Sequence, residues 1–67
     1  MLMIDKSALA QVIADDGRNV SQIQRAAGLT PSTVYRLLKA DRACRISTVG
    51  ALARELGVTV SEITKEA

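Results

Sequence analysis

The side chains best suited to holding an anion crowd into the middle of this 67-residue chain. Between Arg18 and Arg45 stand Arg18, Arg25, Arg36, Lys39, Arg42 and Arg45, against the single acid Asp41. Six bases and one acid give that segment a net +5, while the other residues carry three bases and six acids, a net −3. The formal total of +2 conceals this division. A polyanion is the partner such a segment attracts. The bland alternative is a solvated basic face. Short hydrogen-bonding side chains lie among the bases: Asn19, Ser21, Gln22, Thr30, Ser32, Thr33 and Tyr35.

Other chemistries lack their residues. The chain has no histidine, so the usual general base and the usual Cys/His zinc site are missing. A single cysteine, Cys44, excludes an intrachain disulfide. Its only conceivable activators are its basic neighbours Arg42 and Arg45, and a lone thiol in a small domain is ordinarily structural or incidental. The Asp15–Asp16 pair lacks the ligand spacing of a calcium loop. No glycine-rich phosphate loop occurs. The sequence therefore reads as a non-enzyme, with no cofactor and no metal. Met1 to Ile4 is apolar but far too short to span a membrane, and no signal-peptide cleavage pattern follows it. A cytoplasmic location is expected.

The elements that position these residues are read from caps and periodicity. A chain of this length makes one small domain, near the lower limit for an unstapled core. Its 48% apolar share is mainly Ala, Val, Leu and Ile, with Tyr35 the sole aromatic. No β-branched alternation extends over strand length, so the chain reads as all-α. Asp5 caps a helix over about 6–16, with Ile4 and Leu9 as a hydrophobic staple and Gly17 as its stop. Ala8, Leu9, Val12 and Ile13 form its apolar stripe. Asn19 and Gln22 form a capping-box pattern for a helix over 20–27, with Ile23, Ala26 and Ala27 inward and Gly28 at its end.

Thr30 caps a third helix over 31–40, with Pro31 at its first position. Val34, Leu37 and Leu38 face the core, leaving Ser32, Thr33, Tyr35, Arg36 and Lys39 mostly outside. After a polar connector, Ser47 caps a helix over 47–56, with Val49, Leu52, Ala53 and Leu56 on one face. Gly57 ends it. Thr59 and Glu62 open a short fifth helix over 60–66. An internal echo joins Arg25-x-x-Gly28-Leu29-Thr30-x-Ser32 to Arg54-x-x-Gly57-Val58-Thr59-x-Ser61. The second copy carries Glu62 and Glu66, which phosphates repel. The echo reads as reuse of one stop-and-cap device.

Two helices joined as tightly as those of Asn19 to Lys39 must cross steeply, in a helix-turn-helix arrangement. The leading turns of the second helix then reach into a major groove. Ser32 and Thr33 can contact either base type there, Arg36 can pair bidentately with guanine, and Tyr35 can meet a thymine methyl or a phosphate. The start of the first helix, at Asn19, Ser21 and Gln22, offers hydrogen bonds to the backbone, as does Thr30. Lys39, Arg42 and Arg45 add affinity without sequence choice. Each of these residues also has an ordinary solvated or first-turn reading.

The chain resembles the Cro- and lambda-repressor-type helix-turn-helix domains, the XRE family, over about residues 6 to 66. The matching pieces are Ser21-Gln22-Ile23, Ala27-Gly28-Leu29-Thr30 and Ser32-Thr33-Val34-Tyr35-Arg36-Leu37, followed by the tail from Ala51 to Ile63. The resemblance implies a compact five-helix lambda-repressor-like domain. It places Pro31, Ser32 and Arg36 where bases are usually faced, Asn19 at a phosphate-binding helix start, and Arg42 and Arg45 in a backbone-gripping loop. Three positions depart. Gln24 stands where a small residue is usual, so it must tilt out or widen the helix crossing. Val20 replaces a common Gln. Pro31 replaces a common base-reading side chain.

The expectation is a single DNA-binding domain over 1–67. It would act as a transcriptional repressor of phage or bacterial type on a double-stranded operator, as a possible homodimer. Val60 and Ile63 of the fifth helix, or Met1 to Ile4, are the candidate dimer surfaces. The alternative is a protein-interaction module on the same fold, of antitoxin or antirepressor type.

Overall fold

The computed structural model describes residues 1–66. Its elements run β1 (Leu2–Ile4), α1 (Lys6–Asp16), α2 (Val20–Ala26), α3 (Thr33–Lys39), β2 (Arg42–Cys44), α4 (Ile46–Leu56), one 3-10 turn (Val60–Glu62) and β3 (Thr64–Lys65). The caps explain the first two helices. Asp5 accepts the N–H groups of Ser7 and Ala8 at 3.1 and 3.2 Å. Asn19 accepts from the Gln22 N–H at 2.8 Å, and the Gln22 side chain accepts from the Asn19 N–H at 3.0 Å.

The two halves of the sequence echo end their helices in one way. Leu29 N–H reaches the Gln24 carbonyl at 2.9 Å and Gly28 N–H reaches Arg25 at 3.1 Å. Val58 N–H reaches Ala53 at 3.0 Å and Gly57 N–H reaches Arg54 at 3.2 Å. Both are Schellman ends, with Gly28 and Gly57 left-handed at φ 75° and 71°. The echo is a shared helix stop.

The all-α, five-helix expectation is corrected. A three-stranded antiparallel sheet in the order β2-β1-β3 binds the ends of the chain together. Leu2 faces Cys44, Met3 faces Ala43 and Lys65, and Ile4 faces Arg42 and Thr64. A helix over 60–66 would leave the outer edge of β1 unpaired beside the fully buried Ile4. Instead the Thr59–Glu62 cap makes one 3-10 turn, with Thr59 N–H on the Glu62 carboxylate at 2.7 Å. The backbone beyond it completes the ladder, and Asp5 N–H adds a bond to the Ile63 carbonyl at 3.0 Å.

The core joins Ile4, Leu9, Ile13, Ile23, Val34, Leu37, Val49, Leu52, Ala53, Leu56 and Ile63. Ile4 and Ile63 are fully buried, which takes them out of the expected dimer surfaces and leaves Met1 exposed and Leu2, Met3 and Val60 half-buried there. The α4 cap also moves. Arg45, extended at φ −62° and ψ 142°, carries the strand conformation to the helix start, so Ser47 lies one residue inside. Around this core α1 and α2 each pack against α3 and α4. No described helix is long and apolar enough to cross a membrane.

Candidate nucleic-acid interface

The turn between α2 and α3 differs from the sequence expectation, and the difference shapes the surface. Thr30 does not cap α3. The helix begins at Thr33, with Ser32 in the cap position at φ 75° and ψ −5°. Thr33 N–H bonds the Thr30 carbonyl at 3.2 Å. Those values describe a type II turn over Thr30–Thr33, with Pro31 at the position proline favours and Ser32 where glycine is favoured. A left-handed serine costs about 1–2 kcal/mol. In that conformation its hydroxyl caps nothing. The Thr30 hydroxyl instead meets the Thr33 hydroxyl at 2.7 Å.

Gln24 supplies the missing cap. Of the two expected outcomes, tilting out is overturned: Gln24 is the only buried polar residue described, at 7% exposure. Its Oε1 accepts the Val34 N–H at 3.4 Å. The buried side of α2 is Ile23 and Gln24 with Ala27 half-buried, while Ala26, expected inward, is exposed. The amide replaces a small residue at the crossing because α3 begins with an N–H that its own cap leaves unbonded.

On α3, Tyr35, Arg36 and Lys39 are exposed on one side of the helix, and Ser32 is exposed at the cap before it. Tyr35 is 47% exposed, and its hydroxyl lies 3.4 Å from that of Ser21 on α2. Thr33 is half-buried at the edge of that side. A groove of about 560 Å³ runs beside it, gathering Thr30, Thr33, Arg36 and Arg45 with Cys44 and Thr48. Four of the expected contact residues thus converge on one concavity. Arg42 lies exposed on β2 without lining it, and Asn19, Ser21 and Gln22 stand at the start of α2. Gln24 and Thr48 were not among the expected site residues. Thr48 carries no sequence signal, since it reaches the groove beside α3 only through the fold. Gln24 did carry one, its departure from the small residue usual at that position.

The capping box also sorts the polar atoms at the α2 start. Asn19 and Gln22 turn their carbonyl oxygens to backbone N–H groups, which leaves their NH2 donors for an outside acceptor. The charges sort similarly. Arg18 is held between Asp16 at 2.7 Å and Glu55 at 2.8 Å, with a further bond to the Glu55 carbonyl. This pairing pushes the guanidinium further up and holds the Asp16 carboxyl below its ordinary 3.8. Arg18 therefore leaves the basic set. Asp41 bonds Lys65 and the Lys6 N–H, and both bonds hold its carboxyl low. Its charge no longer opposes the surrounding bases. Among the described residues, Arg25, Arg36, Lys39, Arg42 and Arg45 form no ion pair. No metal-ligating cluster occurs among them either.

Searches of curated proteins and of solved structures return no match. A family model does match, over residues 8–65, and its description is a Cro/C1-type HTH DNA-binding domain. That span covers most of α1, the whole helix-turn-helix, β2, α4 and β3. The chain belongs to the Cro/C1-type helix-turn-helix DNA-binding domains.

Proposed function

We propose that the protein binds double-stranded DNA sequence-specifically, with α3 in the major groove, and represses transcription by occupying an operator. The observation that carries this reading is the exposed side of α3, Tyr35, Arg36 and Lys39, whose two cations have no ion-pair partner among the described residues. An unpaired guanidinium on a protruding helix is suited to guanine O6 and N7. Ser32, Thr33 and Tyr35 flank it as the other base-facing groups. Asn19, Ser21, Gln22 and Thr30 hold one stretch of backbone on one side, and Lys39, Arg42 and Arg45 grip it on the other.

A single module of this size buries little DNA, so operator occupancy is assigned to a homodimer on half-sites about 34 Å apart. Selection of binding sites from random duplex DNA tests the reading. Enrichment of a palindrome with a guanine that depends on Arg36 supports it. Absence of any enriched sequence rejects it.

A further inference from the structure

We propose that Gln24 sets where the recognition helix begins, and so decides which side chains face the leading bases without touching DNA itself. The inference rests on the DNA-binding reading above for its consequence, but not for its structural content. Two arrangements compete for the segment Thr30–Val34. In the first, Thr30 caps, Pro31 opens the helix, and the Val34 N–H bonds the Thr30 carbonyl four residues back. Thr30 as a cap and Pro31 at a first helical position favour this longer helix, although Pro31 also suits the turn. In the second, which the structure shows, a type II turn holds Ser32 left-handed and α3 starts at Thr33.

The second arrangement carries a strained serine and forfeits the Thr30 cap. What it gains is Gln24. The amide oxygen takes the Val34 N–H at 3.4 Å in a buried place, diverting it from the Thr30 carbonyl. The Gln24 backbone carbonyl meanwhile accepts the Leu29 N–H at 2.9 Å, so one residue holds both sides of the turn. At 3.4 Å the side-chain bond is longer than the usual range of about 2.7–3.2 Å for N–H···O, so its contribution comes chiefly from satisfying a buried N–H. A small residue at this position offers no acceptor, and the longer helix is then the better solution. Gln24 is thus a positioning residue for Pro31, Ser32 and Thr33.

The test uses NMR of the free protein together with site selection. Gln24→Met keeps the volume and removes the acceptor. It is expected to move the Ser32 backbone shifts into the helical range and to bring a Thr30–Val34 helical contact. Gln24→Glu keeps an oxygen acceptor in either protonation state and is expected to retain the native turn. On DNA, Gln24→Met should change base preference at the pair facing the leading edge by about fivefold or more, while the base chosen by Arg36 stays.

Native Ser32 shifts in Gln24→Met overturn the proposal, as does Gln24→Glu behaving like Gln24→Met. If Gln24→Met does not fold, its combination with Ser32→Gly decides. Glycine accepts the left-handed conformation freely, so the double variant should fold with native turn signals. If it too is unfolded, Gln24 is needed for the fold itself rather than for the choice of helix start, and the proposal fails. Failure of the DNA reading is separate, since it shows as a wild-type chain that selects no site.

Discussion

Arg36→Ala is the perturbation that most directly questions the reading of α3. Arg36 is exposed, forms no ion pair, and lines the groove between α3 and the start of α4. Its removal leaves no buried partner behind, so folding stability should change by no more than about 0.5 kcal/mol. A bidentate guanine contact is worth about 1–3 kcal/mol of base discrimination, so affinity for the selected site should fall about 5- to 150-fold. The diagnostic is where the loss falls. Titrations against the selected site and its single-base variants should show one position losing its preference while the others keep theirs. Lys39→Ala, one turn further along, should weaken all these sequences alike. Should Arg36→Ala also weaken every sequence by one factor, the guanidinium meets phosphate, and α3 does not read bases through it.

Four further outcomes follow from the same geometry. With Lys39, Arg42 and Arg45 on phosphates, log Kd should rise with log salt at a slope of about 2.7 per subunit, and Lys39→Gln should lower it by about 0.9; a flat salt dependence refutes the backbone assignment. Ser32→Gly should stabilise the fold by about 1 kcal/mol in urea, by relieving the left-handed serine; no gain means Ser32 is not held there. The carboxyls of Asp16 and Asp41 are held below 3.8, so their stabilisation is complete above that value and is lost as pH falls through their lower folded values. Asp41→Asn should flatten that acid loss in thermal melts, and an unchanged acid profile refutes the Asp41 tie to Lys65 and Lys6. Ile4→Ala, at a fully buried position of the central strand, should cost about 2–5 kcal/mol and leave the chain largely unfolded by circular dichroism.

The starts of α1 and α2 and the ends of α1, α2 and α4 were legible because those boundaries are local. Asp5, Asn19 with Gln22, and the glycines Gly17, Gly28 and Gly57 act on backbone groups within a few residues, so sequence spacing alone specifies them. The sheet was not legible because each strand has at most three residues. Period-two alternation needs about four or more to stand out. Its partners lie far apart in sequence, with Ile4 beside Arg42 and Thr64. The buried Ile4 and Ile63 were visible as apolar residues, yet their destination depends on pairings that no local pattern encodes.

The basic segment shows the same division at the level of charge. Counting residues placed Arg18 with the bases and Asp41 against them. Folding hands Arg18 to Asp16 and Glu55, and supplies Asp41 with Lys65 from the third strand. The field over α3 is therefore shaped by a strand that periodicity did not reveal. The turn into α3 takes this further, because there the local signals are present and lose. Thr30 and Pro31 both suit a helix starting at Pro31, and the chain starts it at Thr33. The winning contact comes from Gln24, ten residues before Val34 and on the other helix. A capping pattern reports which bonds a segment can make by itself. It cannot report a rival acceptor delivered by the neighbouring helix, and here that rival stands at the one motif position where the side chain is larger than usual.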